Sequence, residues 1–152
     1  MTHRWLEAIA SSALLTWFTL RVVAPLDRRL LLATRGRSSL TGSTTILLIT
    51  TGARSGKARH SALPGLSRGE EIVVLASNGG GKSNPSWYHN LVAHPDVEIL
   101  KDGSRLPYRA EVADGARRDE TWGWLVEQWS GFSAYARKAS PRILPVVVLR
   151  PR

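Results

Sequence analysis

The sequence predicts an α+β fold, in which about six mostly antiparallel strands form a small barrel and helices pack outside it. Two observations predict this class. Apolar runs of strand length follow one another through tight turns, and helical patterns occur only at the start, the middle and near the end of the chain. Because only the later helices lie between strands, a parallel doubly wound sheet is disfavoured. A chain of 152 residues suits one domain with one core.

The strand predictions rest on apolar runs that end at turn-forming residues. The clearest run is TTILLITT at Thr44–Thr51, which Gly42 and Gly52 bound on either side. The pair Asp102-Gly103 predicts the tight turn of a later hairpin. The predicted strands are Thr44–Thr51, Arg59–Leu66, Glu71–Ser77, Val97–Lys101, Arg105–Ala113 and Ile143–Leu149.

The helix predictions rest on apolar residues that recur every three or four positions and on the residues that end such runs. A run with this spacing extends from Trp122 to Trp129, and Gly131 is a point where the helix could kink or split. Pro25 is predicted to end the N-terminal helix. The predicted helices are Trp5–Ala24, Leu26–Thr34, a helix capped by Asn84 that reaches Ala93, and Arg117–Ala139.

The N-terminal stretch is apolar but too short to span a membrane. Its longest run without a polar break is Ala13–Leu20, whereas a spanning helix needs about 20 apolar residues. No small-x-small cleavage site follows the run, so a signal peptide is not predicted. We therefore expect an N-terminal apolar and amphipathic helix in residues 1–25 and one barrel domain in residues 26–152.

The face and the flanks of this N-terminal helix leave two interpretations open. On helical spacing, one face carries Leu6, Ile9, Ala13, Trp17 and Leu20. Basic residues flank the stretch at Arg4, Arg21, Arg28 and Arg29. The helix either lies on an anionic membrane surface or packs on the core of its own domain. We expect a cytoplasmic protein, with peripheral membrane contact through residues 4–29 in the first case.

Composition excludes several kinds of chemistry and points to an anionic partner. The chain has no cysteine, which removes disulfides, thiol nucleophiles and cysteine metal sites, and its four histidines show no metal-ligand spacing. Lysine and arginine exceed aspartate and glutamate by 21 to 12, a formal charge of +9. Such a field attracts nucleic acid, anionic lipid or an anionic small molecule, or serves solubility alone. No nucleic-acid recognition motif is present.

A turn between the first two predicted strands concentrates positive charge. In Gly52–His60 (GARSGKARH), Arg54, Lys57 and Arg59 lie close to the hydroxyl of Ser55 on a tight hairpin. Guanidinium groups bind phosphate and carboxylate groups through paired hydrogen bonds. The glycine spacing differs from that of a Walker loop. The turn is therefore either an anion-binding site or an ordinary charged surface turn.

A glycine loop followed by a helix start forms a second candidate site. Ala76–Gly81 (ASNGGG) follows a buried strand, and a helix opens shortly afterwards. Free amides at a helix start bind anions, and Trp87 and Tyr88 offer flat apolar area for a ring system. Trp87 is equally explained as a core residue.

A third group of aromatic residues lies near the predicted break of the last helix. Trp129, Phe132 and Tyr135 are spaced by three. This spacing is typical of core residues, and the same side chains could also roof a pocket for an apolar acceptor.

Taken in order, these motifs resemble the deazaflavin-dependent nitroreductase family of the split β-barrel flavin and deazaflavin oxidoreductases. The resemblance is carried by LLITTGARSGKARHSALPGL at Leu47–Leu66, VVLASNGGGKSNPSWYHNLVAHPDVEI at Val73–Ile99 and the closing run Ile143–Val148. It implies a split β-barrel and a reductase that takes a hydride from the reduced deazaflavin coenzyme F420. The anionic tail of F420, a phosphate and a polyglutamate chain, would account for the cationic turn.

The resemblance also implies a set of site residues. Ser77 corresponds to a serine that can hydrogen-bond a substrate oxygen, and the proton would come from Tyr135 or from solvent. Trp129, Phe132 and Tyr135 correspond to the aromatics of the substrate pocket. The implied cofactor-binding residues are Arg54, Ser55, Lys57, Arg59, His60, Ser61, Ala62, Leu63, Pro64, Leu75, Ala76, Ser77, Asn78, Ser86, Trp87, Tyr88, His89 and Asn90.

Three departures from the family pattern bear on the acceptor. Asn78 stands where nitro-reducing relatives carry lysine, and Trp129 and Phe132 replace hydroxyl-bearing tyrosines. We therefore expect an apolar acceptor, quinone-like or a conjugated enone, more than a nitro compound. The alternatives are a split-barrel protein that binds a lipid, a fatty acid or a cofactor without catalysis, and a flavin mononucleotide enzyme of the same class.

Overall fold

One curled antiparallel sheet organises the computed structural model, which describes residues 12–152. Each sheet neighbour is antiparallel, and the order is β2-β1-β5-β6-β7-β4-β3. The strands are β1 Thr45–Thr51, β2 Ala58–Pro64, β3 Leu66–Arg68, β4 Glu71–Leu75, β5 Asp96–Lys101, β6 Ser104–Val112 and β7 Val146–Pro151. The predicted antiparallel barrel with outer helices is confirmed, and residues 12–152 form seven strands where about six were predicted.

Helices lie before, within and after the run of strands. They are α1 Ala13–Phe18, α2 Ala24–Ala33, α3 Ser86–Ala93, α4 Gly115–Gln128 and α5 Gly131–Ala139. A π-helical segment, Thr19–Val23, joins α1 to α2, and a short 3-10 turn spans Asn78–Gly80. Within residues 12–152, no helix combines the length and apolar character needed to cross a membrane. Leu6 and Ile9 of the predicted amphipathic face lie outside the described residues.

The curl of the sheet brings its two ends together around Gly65. A side chain at Gly65 would collide with Ile46 of β1 and Ile72 of β4, so glycine permits this close approach. The interior is filled by Leu48, Val74 and similar residues of alternate strand positions. Trp87 and Leu91 of α3 extend this core and so fix α3 beside β1.

A second core forms where α4 and α5 cover the other face of β4 and β7. Val73 and Val148 point outward from these strands and pack with Leu125 of α4 and Phe132 of α5. Both faces of the central strands are therefore buried, which explains their unbroken apolar sequences. This packing sets α5 beside the loop that follows β4.

Three local predictions are wrong for identifiable reasons. Pro25 does not end the helix but occupies the first turn of α2, where its missing N–H is tolerated. Asn84 is not the N-cap of α3, because Pro85 occupies that position and the side chain of Asn84 accepts a hydrogen bond from Arg142. The first two residues of the turn predicted over 67–70 belong instead to a short strand, β3, which pairs with β4.

The long helix predicted over 117–139 is divided into two helices near Gly131, as the sequence indicated. Trp129 has an extended backbone, and α5 begins at Gly131. A side chain at Gly131 would collide with the indole of Trp129. The break therefore lets this indole fold back over the start of α5.

Candidate active site

The β1–β2 hairpin presents its cations on an ordered turn. The Gly52 amide donates to the Lys57 carbonyl oxygen at 2.8 Å, and the Gly56 amide donates to the Gly52 carbonyl oxygen at 2.9 Å. The Ser55 hydroxyl oxygen accepts from the Lys57 amide at 3.2 Å and from Arg59 Nη2 at 3.5 Å. These bonds hold the turn while its cationic side chains stay exposed.

Asn90 connects this turn to helix α3. Its side-chain oxygen accepts from the Ala53 amide at 3.0 Å, and its Nδ2 donates to the Thr50 hydroxyl at 3.1 Å. Asn90 and Thr50 are both buried. The hairpin and α3 therefore act as one rigid support for whatever lies between them.

A cleft of about 740 Å³ opens between this hairpin, α3 and α2. We call it the cationic cleft. Guanidinium groups come from Arg28, Arg54 and Arg59, and no carboxylate of residues 12–152 lines its walls. The other lining residues are Gly52, Ala53, Ser55, His60, Ser61, Asn84, Ser86, Trp87, His89 and Asn90. This chemistry suits a ligand with several negative charges.

A second cavity, of about 560 Å³, adjoins the first, and we call it the aromatic pocket. One wall is apolar, with Leu63, Leu75 and Trp87 from the barrel side and Trp129 and Phe132 from the α5 side. The facing wall comes from α1, the π-helical segment and α2, and it supplies hydroxyl groups as well as apolar contacts. Both cavities are lined by Ser61, Asn84, Ser86 and Trp87. One elongated ligand could therefore occupy both.

Three aromatic rings close one side of the aromatic pocket. The Trp129 ring centroid lies 4.8 Å from that of Phe132 and 5.6 Å from that of Tyr135, both in edge-to-face geometry. Burial raises the pKa of the Tyr135 phenol above its ordinary value. The phenol therefore keeps its proton at neutral pH and is a hydrogen-bond donor.

The loop after β4 is held by a cation that sequence reasoning missed. Arg142 donates to the carbonyl oxygens of Ala76, Ser77 and Gly81 and to the side-chain oxygen of Asn84, at 2.6–3.1 Å. Burial lowers the pKa of its guanidinium. Because Arg142 lies after α5, it ties the loop to the helix that carries Phe132 and Tyr135.

The predicted site residues divide into those that line a cavity and those that do not. Residues that line the cationic cleft are Arg54, Ser55, Arg59, His60, Ser61, Ser86, Trp87, His89 and Asn90. Residues that line the aromatic pocket are Ser61, Ala62, Leu63, Pro64, Leu75, Asn78, Ser86, Trp87, Trp129, Phe132 and Tyr135. Residues that line neither are Lys57, Ala76, Ser77 and Tyr88.

Those four residues have other surroundings. Lys57 is exposed on the hairpin, and Ala76 is fully buried. Tyr88 packs against the barrel core. Ser77 is half-buried beside the aromatic pocket, and its hydroxyl makes no hydrogen bond within residues 12–152.

The helical wall supplies residues that no motif indicated. Asp27 is 1% exposed, lines the aromatic pocket and accepts bonds from Ser39 Oγ at 2.8 Å, the Leu40 amide at 2.8 Å and Thr41 Oγ1 at 2.6 Å. Arg28, its neighbour, lines the cationic cleft. No local signal marks these roles, because they depend on how α2 packs against β2.

The proteins that this chain resembles in sequence and structure include reductases that use F420, which agrees with a cleft suited to an anionic ligand. Residues 20–151 match the family described as F420H(2)-dependent quinone reductase. The F420H(2)-dependent quinone reductase Rv1261c of Mycobacterium tuberculosis is 35% identical over 109 residues, which cover 70% of this chain and 73% of that protein. A solved structure titled F420-H2 dependent reductase (FDR-A) is 32% identical, covers 70% of this chain and 94% of that one, and has a TM-score of 0.64.

A curled antiparallel sheet with adjoining cationic and aromatic cavities defines a split β-barrel reductase of the deazaflavin type. The chain belongs to the F420H(2)-dependent quinone reductase family. It is therefore an oxidoreductase whose hydride donor is reduced F420. The residues present fit that cofactor, because the described part of the chain, residues 12–152, lines the cleft with three guanidinium groups and no carboxylate, which suits an anionic tail.

Proposed function

We propose that this chain reduces a quinone-like acceptor that binds in the aromatic pocket next to the deazaflavin. The adjoining cavities carry the proposal, because four shared lining residues make the cationic cleft continuous with the aromatic pocket. When bound, reduced F420 supplies the hydride for the acceptor. Conjugated enones accept a hydride by related chemistry and belong to the same proposal, and nitro compounds belong to it as weaker substrates.

The proposed binding mode assigns each predicted residue a task. Arg54, Ser55, Lys57 and Arg59 hold the phosphate and carboxylates of the tail. The strand that starts at His60 runs past the ribityl chain, and the residues from Leu75 to Asn78 lie beside the ring. Helix α3, from Ser86 to Asn90, closes the site. Lys57 and Tyr88 lie outside the cavity linings, so we expect smaller effects from them than from Arg54 and Trp87.

The acceptor would be held by apolar contact and by few polar groups. Trp129 and Phe132 offer flat faces to a ring and no hydroxyl, which favours an apolar acceptor. The protonated phenol of Tyr135 can donate a hydrogen bond to an acceptor oxygen, and it can pass its proton there. The hydroxyl of Ser77 is a second candidate donor, because its neighbour Asn78 lines the pocket and the hydroxyl makes no hydrogen bond within residues 12–152.

An acceptor screen tests the proposal. Protein is mixed with reduced F420 and with naphthoquinones, nitroaromatics or cyclic enones, and the return of oxidised F420 is followed by its absorbance. We expect the highest kcat/KM with a quinone that carries an apolar substituent. Turnover with none of these acceptors would overturn the proposal. Native mass spectrometry that detects a retained lipid and no deazaflavin would favour a binding protein instead.

The exposed side of α1 supports a further part of the proposal, peripheral contact with an anionic membrane. Leu14, Trp17 and Phe18 are 73%, 56% and 49% exposed. Arg21 and Arg29 lie exposed just beyond them. Exposed aromatic and aliphatic side chains beside arginines suit the interface of an anionic bilayer. An apolar quinone would reach the aromatic pocket readily from such a surface.

A further inference from the structure

We infer that Arg28 is a binding residue for the anionic tail of the cofactor, so that the tail lies between the β1–β2 hairpin and helix α2. The inference rests on the use of F420 by this chain. It extends the tail site from one hairpin to two separate elements of the fold. Arg28 would otherwise be counted among the basic residues that flank the N-terminal helix and face a membrane.

Arg28 lies where an anionic ligand can reach it. Its side chain lines the cationic cleft together with Arg54 and Arg59. Within residues 12–152, the side chains of Arg28 and Arg54 make no hydrogen bond or ion pair, and no aspartate or glutamate lines the cleft. Three like charges around one cavity repel one another, and a polyanion between them relieves that repulsion.

The neighbouring arginine provides a contrast on the same helix. Arg29 is also exposed and is the next residue of α2 after Arg28, but it lines neither cavity. Arg21 lines neither cavity as well. If these arginines only added to the positive field of the protein, Arg21, Arg28 and Arg29 would contribute equally to binding of the tail. If the tail is contacted directly, Arg28 alone of the three should contribute.

Contact at Arg28 has a consequence for the acceptor. The helical stretch that carries Arg28 also forms one wall of the aromatic pocket, through Thr16, Leu20 and Ala24. Large apolar side chains on the opposite side of α1 are exposed, so this stretch is held mainly along one face. A tail bound to both Arg28 and the hairpin would hold that wall in place. Cofactor binding would therefore also order the acceptor pocket.

The test compares two ligands that differ only in the tail. Fluorescence titration measures the Kd of F420 and of the parent deazaflavin that ends at the ribityl hydroxyl, without phosphate or glutamates. For Arg28→Ala we expect the Kd of F420 to rise by about fivefold to tenfold, as for loss of one partly exposed charge-assisted contact. The Kd of the tail-less deazaflavin should not change. Arg29→Ala should leave both values unchanged, and Arg28→Lys should retain part of the affinity.

The outcomes separate this inference from the assignment of the cofactor. An unchanged Kd in Arg28→Ala, or equal losses in Arg28→Ala and Arg29→Ala, would overturn the inference while F420 still binds the wild type. Failure of the wild type to bind F420 would overturn the assigned cofactor and this inference with it. Hydrogen exchange gives an independent readout. F420 should slow amide exchange in the segment 13–33 of the wild type, and less in Arg28→Ala.

Discussion

Arg142 Nη1 donates to the side-chain oxygen of Asn84 at 2.6 Å across 58 positions of sequence. The same guanidinium binds the carbonyl oxygens of Ala76, Ser77 and Gly81. Lys82 of the loop makes the reciprocal connection, because its ammonium donates to the carbonyl oxygens of Lys138 and Ser140 at 3.2 and 2.9 Å. Two cations therefore join the loop that follows β4 to the end of helix α5.

Removal of Arg142 should loosen this connection. Arg142→Ala leaves several part-buried carbonyl oxygens without a donor, and we expect the free energy of unfolding to fall by about 2–3 kcal/mol. Activity should fall in kcat more than in the Kd of F420, because the loop and the aromatic rings lose their relative position. Arg137→Ala, which removes an exposed arginine of α5, is the control for charge. Equal effects in the two variants would show that the hydrogen bonds of Arg142 do not matter.

The tether at Asn90 allows a second prediction. Asn90→Ala removes both the acceptor for the Ala53 amide and the donor to Thr50, so we expect a loss of about 2 kcal/mol in unfolding free energy. The Kd of F420 should rise, because the turn that carries Arg54 is no longer fixed to α3. Thr50→Val removes only the second bond and serves as the matched variant. It should lose stability but retain its affinity for F420, and a parallel loss of affinity would contradict the role of the Ala53 bond.

The acceptor preference depends on the aromatic wall. Trp129 fills one side of the pocket, and its indole N–H has no partner within residues 12–152. Trp129→Tyr introduces a hydroxyl and removes an unsatisfied donor, so we expect the ratio of kcat/KM for a nitroaromatic over a quinone to rise by about fivefold. Trp129→Phe enlarges the pocket in a similar way without a hydroxyl. A similar ratio change in both variants would assign the effect to size alone.

The membrane proposal has its own test. Trp17→Glu places a charge in the exposed apolar surface of α1 and should reduce co-sedimentation with vesicles that contain anionic lipid by more than about tenfold. Val92→Glu is the matched control, since Val92 on α3 has the same 56% exposure as Trp17. Unchanged sedimentation of Trp17→Glu, or equal loss in both variants, would argue against contact through α1.

Much of this fold could be predicted from the sequence, because in several elements the residue types of a short segment agree with the structure that the segment adopts. The run at 45–51 is β-branched and apolar on both faces, and both faces of β1 are in fact buried. Asp102 and Gly103 both have positive φ at the β5–β6 turn, as their residue types predict. Gly131 marked the division of the last helix correctly. In these three cases, the residues that determine the local structure lie within or next to the segment that adopts it.

The missed features depend on partners that are far apart in the sequence. Asn84 has the residue type of an N-cap, but its oxygen accepts from Arg142, and Pro85 takes the cap position. Arg28 and Asp27 are adjacent on α2, yet one faces a cleft and the other is buried against the connector at 39–41. Neither hydrophobic periodicity nor a sequence motif distinguishes these two positions, because their surroundings depend on how α2 packs against β2.

The pKa of Tyr135 leads to a prediction on both stability and activity. Burial raises this pKa above its ordinary value of 10.0 in the folded protein. Below pH 10.0 the phenol is protonated in both the folded and the unfolded chain, so its contribution to stability is fully present. As pH rises through that value, the unfolded chain releases the proton first. The stability contribution of Tyr135 then falls progressively, and it stops falling once pH exceeds the pKa in the folded protein. Chemical denaturation at alkaline pH should therefore show a steeper decline for the wild type than for Tyr135→Phe.

The same substitution tests whether Tyr135 donates to the acceptor. At neutral pH its phenol is protonated, so Tyr135→Phe should lower kcat/KM for a quinone by about tenfold while the Kd of F420 stays constant. Over the neutral to mildly alkaline range, the activity of the wild type should show no decline from Tyr135, because its pKa is displaced upward. If Tyr135→Phe keeps full activity, the proton must come from another group, of which the Ser77 hydroxyl is the next to test through Ser77→Ala.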